Sequence, residues 1–223
     1  MKLSNAPTRD QVKIHPRRTE SRMHSVFWLI LVVFASIAML PGCSQDDLPY
    51  QHVSKILVVS DSMGTGYGIA TPYPEIISET TGIPVVNNST NGRETSEALA
   101  DFENLLMAHS PSHVLIMLGT NDARKNRVQA ATRNLGEMLA MTAERQIQAL
   151  IATVPIYLHD ELVNQRTLEI NTWINAQNSE QVVEIRQLLG DGSATLGDLI
   201  HPNQRGQDLI AESFLEKLAI PGS

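Results

Sequence analysis

Cysteine is almost missing from this chain, with Cys43 the single example in 223 residues. A disulfide framework is therefore excluded, and a hydrophobic core must hold the fold. Basic charge is also short, since 17 Lys or Arg stand against 24 Asp or Glu for a net −7. Six of the basic and two of the acidic residues fall in residues 1–42, which leaves 11 basic and 22 acidic residues, net −11, in the remainder. That balance argues against a nucleic-acid partner. No internal repeat or low-complexity tract interrupts the chain, and no cluster of His, Cys, Asp and Glu has the spacing of metal ligands. What is present is 42% hydrophobic and 18% charged sequence, enough for one domain with a real core and too short to demand two.

Residues 26–40 are 15 consecutive uncharged residues, fewer than the roughly 20 that a membrane-spanning helix needs. Lys2, Arg9, Lys13, Arg17, Arg18 and Arg22 precede them, the pattern of a secretion signal. The run ends at Leu40-Pro41-Gly42-Cys43, which resembles the lipobox of bacterial lipoproteins. The resemblance implies removal of residues 1–42 and lipidation of Cys43, which would make the membrane a partner through the N-terminal lipid. Ser44 after the cysteine points, by the same resemblance, to the outer membrane of a Gram-negative cell, facing the periplasm. Acyl chains on Cys43 would hold the protein to a bilayer at about 0.8 kcal/mol per buried CH2. Pro41 departs from the usual small or β-branched residue there, and an uncleaved anchor helix with an inert thiol stands as the alternative. A start at Met23 would strip every basic residue ahead of the run. Residues 43–54, polar and acidic, then read as the lipidated cysteine and a short tether, and 55–223 as the folded domain.

Short β-branched runs at 55–60, 83–87, 113–119, 148–154 and 181–185 read as strands. Helical spacing of Leu, Ala, Met and Ile covers 94–109, 128–145 and 161–178, with a final helix at 203–218. Alternation of this kind implies βαβ units, and thus a three-layer α/β/α sandwich around a parallel sheet of about five strands. Ligands of such sheets bind beyond the carboxyl ends of the strands, which is where the polar motifs fall.

The first strand stops at Ser60-Asp61-Ser62-Met63, with Gly64, Gly66 and Gly68 following, so Ser62 sits at a strand-to-helix turn. A serine hydroxyl needs a base to take its proton and a third group to orient that base. His201 and Asp198, in Asp198-Leu199-Ile200-His201-Pro202, supply both, and Pro202 biases His201 away from helix. Acyl transfer also needs donors for an oxyanion: the Ser62 N–H, the Gly92 N–H with no side chain to obstruct it, and the neutral amide of Asn121. Asp61 and Asp122 read as loop-ordering acids. His159-Asp160 is a rival dyad, although adjacent residues rarely orient each other for relay.

These four blocks resemble the SGNH hydrolases of the GDSL esterase and lipase family over residues 55–218. Ser62, Gly92, Asn121 and His201 correspond to its serine, glycine, asparagine and histidine, and Asp198 completes the triad. Gly119 to Asp122 and Asp198 to Pro202 match the family's blocks, whereas Ser60 and Met63 replace a usual glycine and leucine. The resemblance implies a flavodoxin-like SGNH hydrolase fold and a serine esterase that cleaves carboxylic esters through an acyl-serine intermediate. No cofactor is required, the partner is a small-molecule ester, and a monomer is expected. Short loops suit short-chain acyl esters or lysophospholipids. The alternatives are an acyl thioester, an O-acetyl group on a cell-envelope glycan, or a catalytically silent lipoprotein that binds lipid or glycan. Arg124, Lys125 and Arg127 either face an anionic ligand such as a phosphate-bearing lysophospholipid or lie on a solvated loop. Residues 155–158 would line an acyl pocket or belong to the core.

Replacing Cys43 by serine is expected to move the protein from the membrane to the soluble fraction. Its persistence in membranes would indicate a retained apolar helix instead.

Overall fold

The computed structural model describes residues 52–68 and 70–218, so the expected leader and Cys43 lie outside the described residues. Among those described, no helix is long and apolar enough to cross a membrane. The strands are β1 (Ile56–Ser60), β2 (Val85–Ser89), β3 (His113–Met117), β4 (Gln148–Ala152) and β5 (Val182–Val183). All pairings are parallel, in the order β2-β1-β3-β4-β5. Every residue of β1 and β3 is buried, as a strand covered on both faces requires.

Successive side chains of a strand point to opposite faces, so each strand feeds two cores. On one face Ile56, Val58, Leu115 and Met117 pack with Tyr73 and Ile77 of helix α1 (Tyr73–Thr81) and Phe214 of α7 (Gln204–Leu218). On the other, Leu57, Val59, Val114 and Ile116 meet Phe102 of α2 (Thr95–His109), Leu135 of α4 (Val128–Glu144) and Ile170 of α5 (Glu161–Asn175). The chain thus adopts the expected three-layer α/β/α fold. Two short helices, α3 (Thr120–Arg124) and α6 (Ile185–Leu189), follow β3 and β5.

Helix starts follow their local chemistry. The Glu94 and Glu97 side chains form a reciprocal capping box at α2, and Asp160 Oδ1 accepts the Val163 N–H at 3.0 Å to cap α5. Asn203 Oδ1 accepts the Gly206 N–H at 3.0 Å and starts α7. Helix α1 escaped the sequence reading because Pro72 and Pro74 flank its start. Proline suits a first turn, where its missing N–H would have no partner within the helix.

Each strand's bounds differ from expectation by one or two residues at one or both ends, and three of the shifts have a visible cause. β2 begins at Val85 rather than residue 83 because Pro84 has no N–H for the ladder, although its carbonyl accepts from Ile56 at 3.0 Å. β3 stops at Met117, as Gly119 at φ 129 turns the chain into α3. β5 keeps only Val182 and Val183, and Ile185 belongs to α6. The Arg186 N–H donates to Thr153 Oγ at 2.9 Å and draws the chain off the sheet edge.

Helix α7 lies so close to the preceding loop that a Cβ on Gly206 would sit 2.3 Å from the Thr195 carbonyl oxygen and 2.8 Å from Pro202 Cβ. Gly206→Ala is therefore expected to cost about 1–3 kcal/mol and lower the melting temperature by several degrees. An unchanged melting curve would show that helix and loop separate without penalty.

Candidate active site

Strand β1 delivers the serine. Ser60 closes it, buried, its hydroxyl donating to the Met117 carbonyl at 2.9 Å on the neighbouring strand. The next residues turn sharply: Asp61 Oδ1 accepts the Met63 N–H at 3.0 Å, and the Asp61 carbonyl accepts the Gly64 N–H at 3.2 Å. This side-chain turn leaves Ser62 at the carboxyl end of the sheet. Gln207, wholly buried on α7, donates through Nε2 to the Met63 carbonyl at 3.0 Å and accepts the Tyr73 N–H at 2.9 Å. One amide thereby ties the serine turn to α1 and α7.

The loop before α7 delivers the imidazole. Leu196 and Pro202 form an antiparallel bridge, and the Gly197 N–H donates to the His201 carbonyl at 2.8 Å, closing a tight bend. His201 Nε2 lies 3.0 Å from Ser62 Oγ, and Nδ1 lies 2.7 Å from Asp198 Oδ2. Asp198 Oδ1 accepts the N–H of Ile200 and of His201, each at 2.8 Å. Partial burial pushes the Asp198 carboxyl up, but the hydrogen bonds from the His201 ring, His201 N–H and Ile200 N–H outweigh it and hold the group below its ordinary value. An ionised carboxylate only accepts, so the imidazole proton sits on Nδ1 and the Nε2 lone pair faces the serine. Ser62, His201 and Asp198 are thus brought into one hydrogen-bonded chain with the geometry for general-base activation of a hydroxyl.

Gly92 holds φ 77, a conformation that favours glycine, and nothing lies within 4 Å of where a Cβ would stand. The N–H groups of Ser62 and Gly92 meet no acceptor among the described residues. Asn121 is engaged: Nδ2 donates to Asp61 Oδ2 and to the Arg93 carbonyl, both at 3.1 Å. It stitches the serine turn to the glycine loop, and donation to a substrate oxygen would require sharing or releasing one of these contacts.

The family model for the GDSL-like lipase/acylhydrolase family matches residues 59–209. The chain belongs to that family. An arylesterase of Vibrio mimicus is 24% identical over 179 residues, spanning 75% of this chain and 90% of that protein. A lipolytic protein of the G-D-S-L family from Veillonella parvula superposes with TM-score 0.64 at 20% identity, covering 73% of this chain and 96% of that one. An acetylxylan esterase from Geobacillus stearothermophilus, solved as a catalytic mutant, gives TM-score 0.59 at 20% identity, covering 75% and 94%. Membership of the family assigns ester hydrolysis to the chain as a general activity.

This GDSL-like acylhydrolase absorbs both departures in its first block. Ser60 spends its hydroxyl on β3, and Met63 is buried against the α1 and α7 core. Lys125 and Arg127 of the basic cluster have a structural partner. Lys125 Nζ and Arg127 Nη1 both donate to buried Glu94, at 2.6 and 2.5 Å, and the Arg124 guanidinium lies 5.7 Å over the Tyr157 ring. The hydrogen bond from Lys125, opposed by burial and aided by Arg127, holds the Glu94 carboxyl below its ordinary value. Ile156, Tyr157 and Leu158 pack on the core, and the Leu158 N–H donates to the Leu199 carbonyl at 2.7 Å. Asp160 is spent on the α5 cap, so His159 gains no orienting carboxylate there. Among the described residues no group of three His, Cys, Asp or Glu could hold a metal ion.

Sequence reasoning missed Gln207 and Tyr67. Gln207 had a signal, a polar residue at helical spacing from Ile210, Ala211 and Phe214 on the buried face of α7. Tyr67 had none.

Burial pushes Asp61 up to about 7, opposed by the Met63 N–H and reinforced by the Asp122 charge. Asp122 is raised as well, by burial against the Thr95 N–H and hydroxyl that it accepts. Folded Asp61 keeps its proton to higher pH than the unfolded residue, so its stabilising contribution is full below pH about 4 and lost as pH rises through about 7. Relative to Asp61→Asn, the wild type should lose up to about 4 kcal/mol of stability between pH 4 and 8. Denaturant melts of both proteins across that range check it, and parallel pH profiles would contradict it.

Proposed function

We infer that this protein is a serine esterase that hydrolyses short-chain carboxylic esters through an acyl-Ser62 intermediate. The observation that carries this reading is the 3.0 Å contact of His201 Nε2 with Ser62 Oγ, backed by the 2.7 Å contact of Nδ1 with Asp198. Ser62 Oγ attacks the ester carbonyl carbon while His201 Nε2 takes the hydroxyl proton. Negative charge moves to the carbonyl oxygen, towards the N–H groups of Ser62 and Gly92 and the amide of Asn121. Collapse breaks the bond to the alcohol oxygen, which leaves with the proton from His201. A water molecule then adds to the acyl carbon with His201 as base, the acid departs, and Ser62 regains its proton. Asp198 fixes the tautomer and stabilises the imidazolium in both halves.

The preference for compact esters follows from the surface beside the dyad. The large exposed apolar side chains there are Tyr67 and Leu199, 49% and 47% exposed, which is little surface to cover a long acyl chain. A groove at the β5 edge, lined by Val182, Glu184, Leu188 and Lys217 among others, shares no residue with the site. The lipobox-like pattern at Cys43 supports placing this activity at a bilayer surface, in the cell envelope.

Labelling with a fluorophosphonate probe tests the reading, beside an ester series of increasing acyl length. Covalent labelling and p-nitrophenyl acetate hydrolysis are expected in the wild type, and both should vanish in Ser62→Ala. A folded wild-type protein that neither labels nor turns over any ester would leave a binding protein as the explanation.

A further inference from the structure

A ring that plays no part in the proton relay covers the imidazole. The Tyr67 phenol lies parallel to His201, with centroids 3.6 Å apart and planes at 9°. The His201 side chain is 8% exposed and Tyr67 is 49% exposed, so the phenol stands between one imidazole face and solvent. The backbone holding it there is unusual. Tyr67 has φ 47 and ψ 23, between Gly66 at φ 67 and Gly68 at φ 73. Glycine occupies the left-handed region freely, whereas a side chain with a Cβ is strained in it. A tyrosine where a third glycine would be less strained indicates that the ring has a use, because such strain concentrates at functional sites.

The position is also wired to the reacting groups. The Tyr67 N–H donates to Thr65 Oγ at 3.2 Å. The Thr65 hydroxyl lies 2.6 Å from Asn91 Oδ1, beside Gly92, and 3.1 Å from the Ser62 carbonyl. The imidazole has a need that this ring meets. Its contacts to Asp198 and Ser62 are made by the two ring nitrogens, in the ring plane, and do not by themselves fix tilt about the line between them. The Asp198 side chain is 39% exposed, so one of these anchors is wet. A parallel ring against the face removes that freedom.

We propose that Tyr67 is a positioning residue for His201, its ring fixing the tilt of the imidazole so that Nε2 stays aimed at Ser62 Oγ. This rests on His201 being the base of the esterase reaction. The stack is made by the ring and not by the hydroxyl, so phenylalanine preserves it and glycine abolishes it while relieving the backbone.

Tyr67→Gly and Tyr67→Phe, assayed with p-nitrophenyl acetate and melted in parallel, test it. In Tyr67→Gly, kcat is expected to fall about tenfold with KM within about twofold, since misaimed groups slow the chemical step. Its melting temperature should be no lower than the wild type's. Tyr67→Phe should keep both kinetic constants within about twofold of the wild type. A Tyr67→Gly enzyme with undiminished kcat overturns the proposal. So does a loss carried by KM alone, which would make Tyr67 a substrate contact. If the wild type itself neither labels nor hydrolyses ester, the esterase reading fails first and is distinguished from a failure confined to Tyr67.

Discussion

The approach of His201 Nε2 to Ser62 Oγ at 3.0 Å joins residues 139 positions apart, and much of the domain serves to keep it. A hydrogen bond between two mobile side chains contributes little net stability in water. It persists here because both ends are carried by well-anchored backbone. Ser62 stands on the end of a wholly buried strand, in a turn closed by Asp61 and held by Gln207. His201 stands in a bend closed by the Leu196–Pro202 bridge and pressed against α7 where Gly206 has no side chain. Gln207 belongs to that same helix, so α7 braces the serine side and the histidine side together.

Around this contact the buried acids act as rivets. Asp122 accepts from the Thr95 N–H and hydroxyl at the start of α2, and Asn134 Nδ2 donates to the same hydroxyl at 3.0 Å. Glu94 gathers Lys125 and Arg127, and Asp61 holds the Asn121 amide. Each burial is unfavourable for the charged form; the cations outweigh it at Glu94, whereas at Asp61 and Asp122 the donors offset it only in part. The glycine loop, the serine turn and the start of α3 are thereby joined through polar contacts, which specify geometry more sharply than apolar packing. The net −11 of residues 43–223 says nothing of this local pairing, which is why the sequence left Arg124, Lys125 and Arg127 between an anionic ligand and a solvated loop and did not show Glu94 as a partner.

The legibility of the fold tracks how local its causes are. Apolar runs such as Ile56 to Val59 and Val114 to Met117 mark buried strands because parallel sheets demand continuous burial. Boundaries were less legible. Val182–Val183 stops where it does because Thr153 takes the Arg186 N–H just beyond it, a contact across 33 residues of sequence that no window contains. The short polar strand β2 holds its place partly through Asn87 Nδ2 donating to the Gly64 carbonyl at 2.9 Å.

From the sequence alone come the class of fold, the family, and which residue types could perform acyl transfer, because strand periodicity and the four motif blocks are written in neighbouring residues. Tertiary structure alone decided the distances, the engagement of Asn121 by Asp61 and Arg93, the pairing of Lys125 and Arg127 with Glu94, and the stacking of Tyr67 on His201. Each of these depends on where two distant segments come to rest against each other, a consequence of packing the whole sheet and its helices at once.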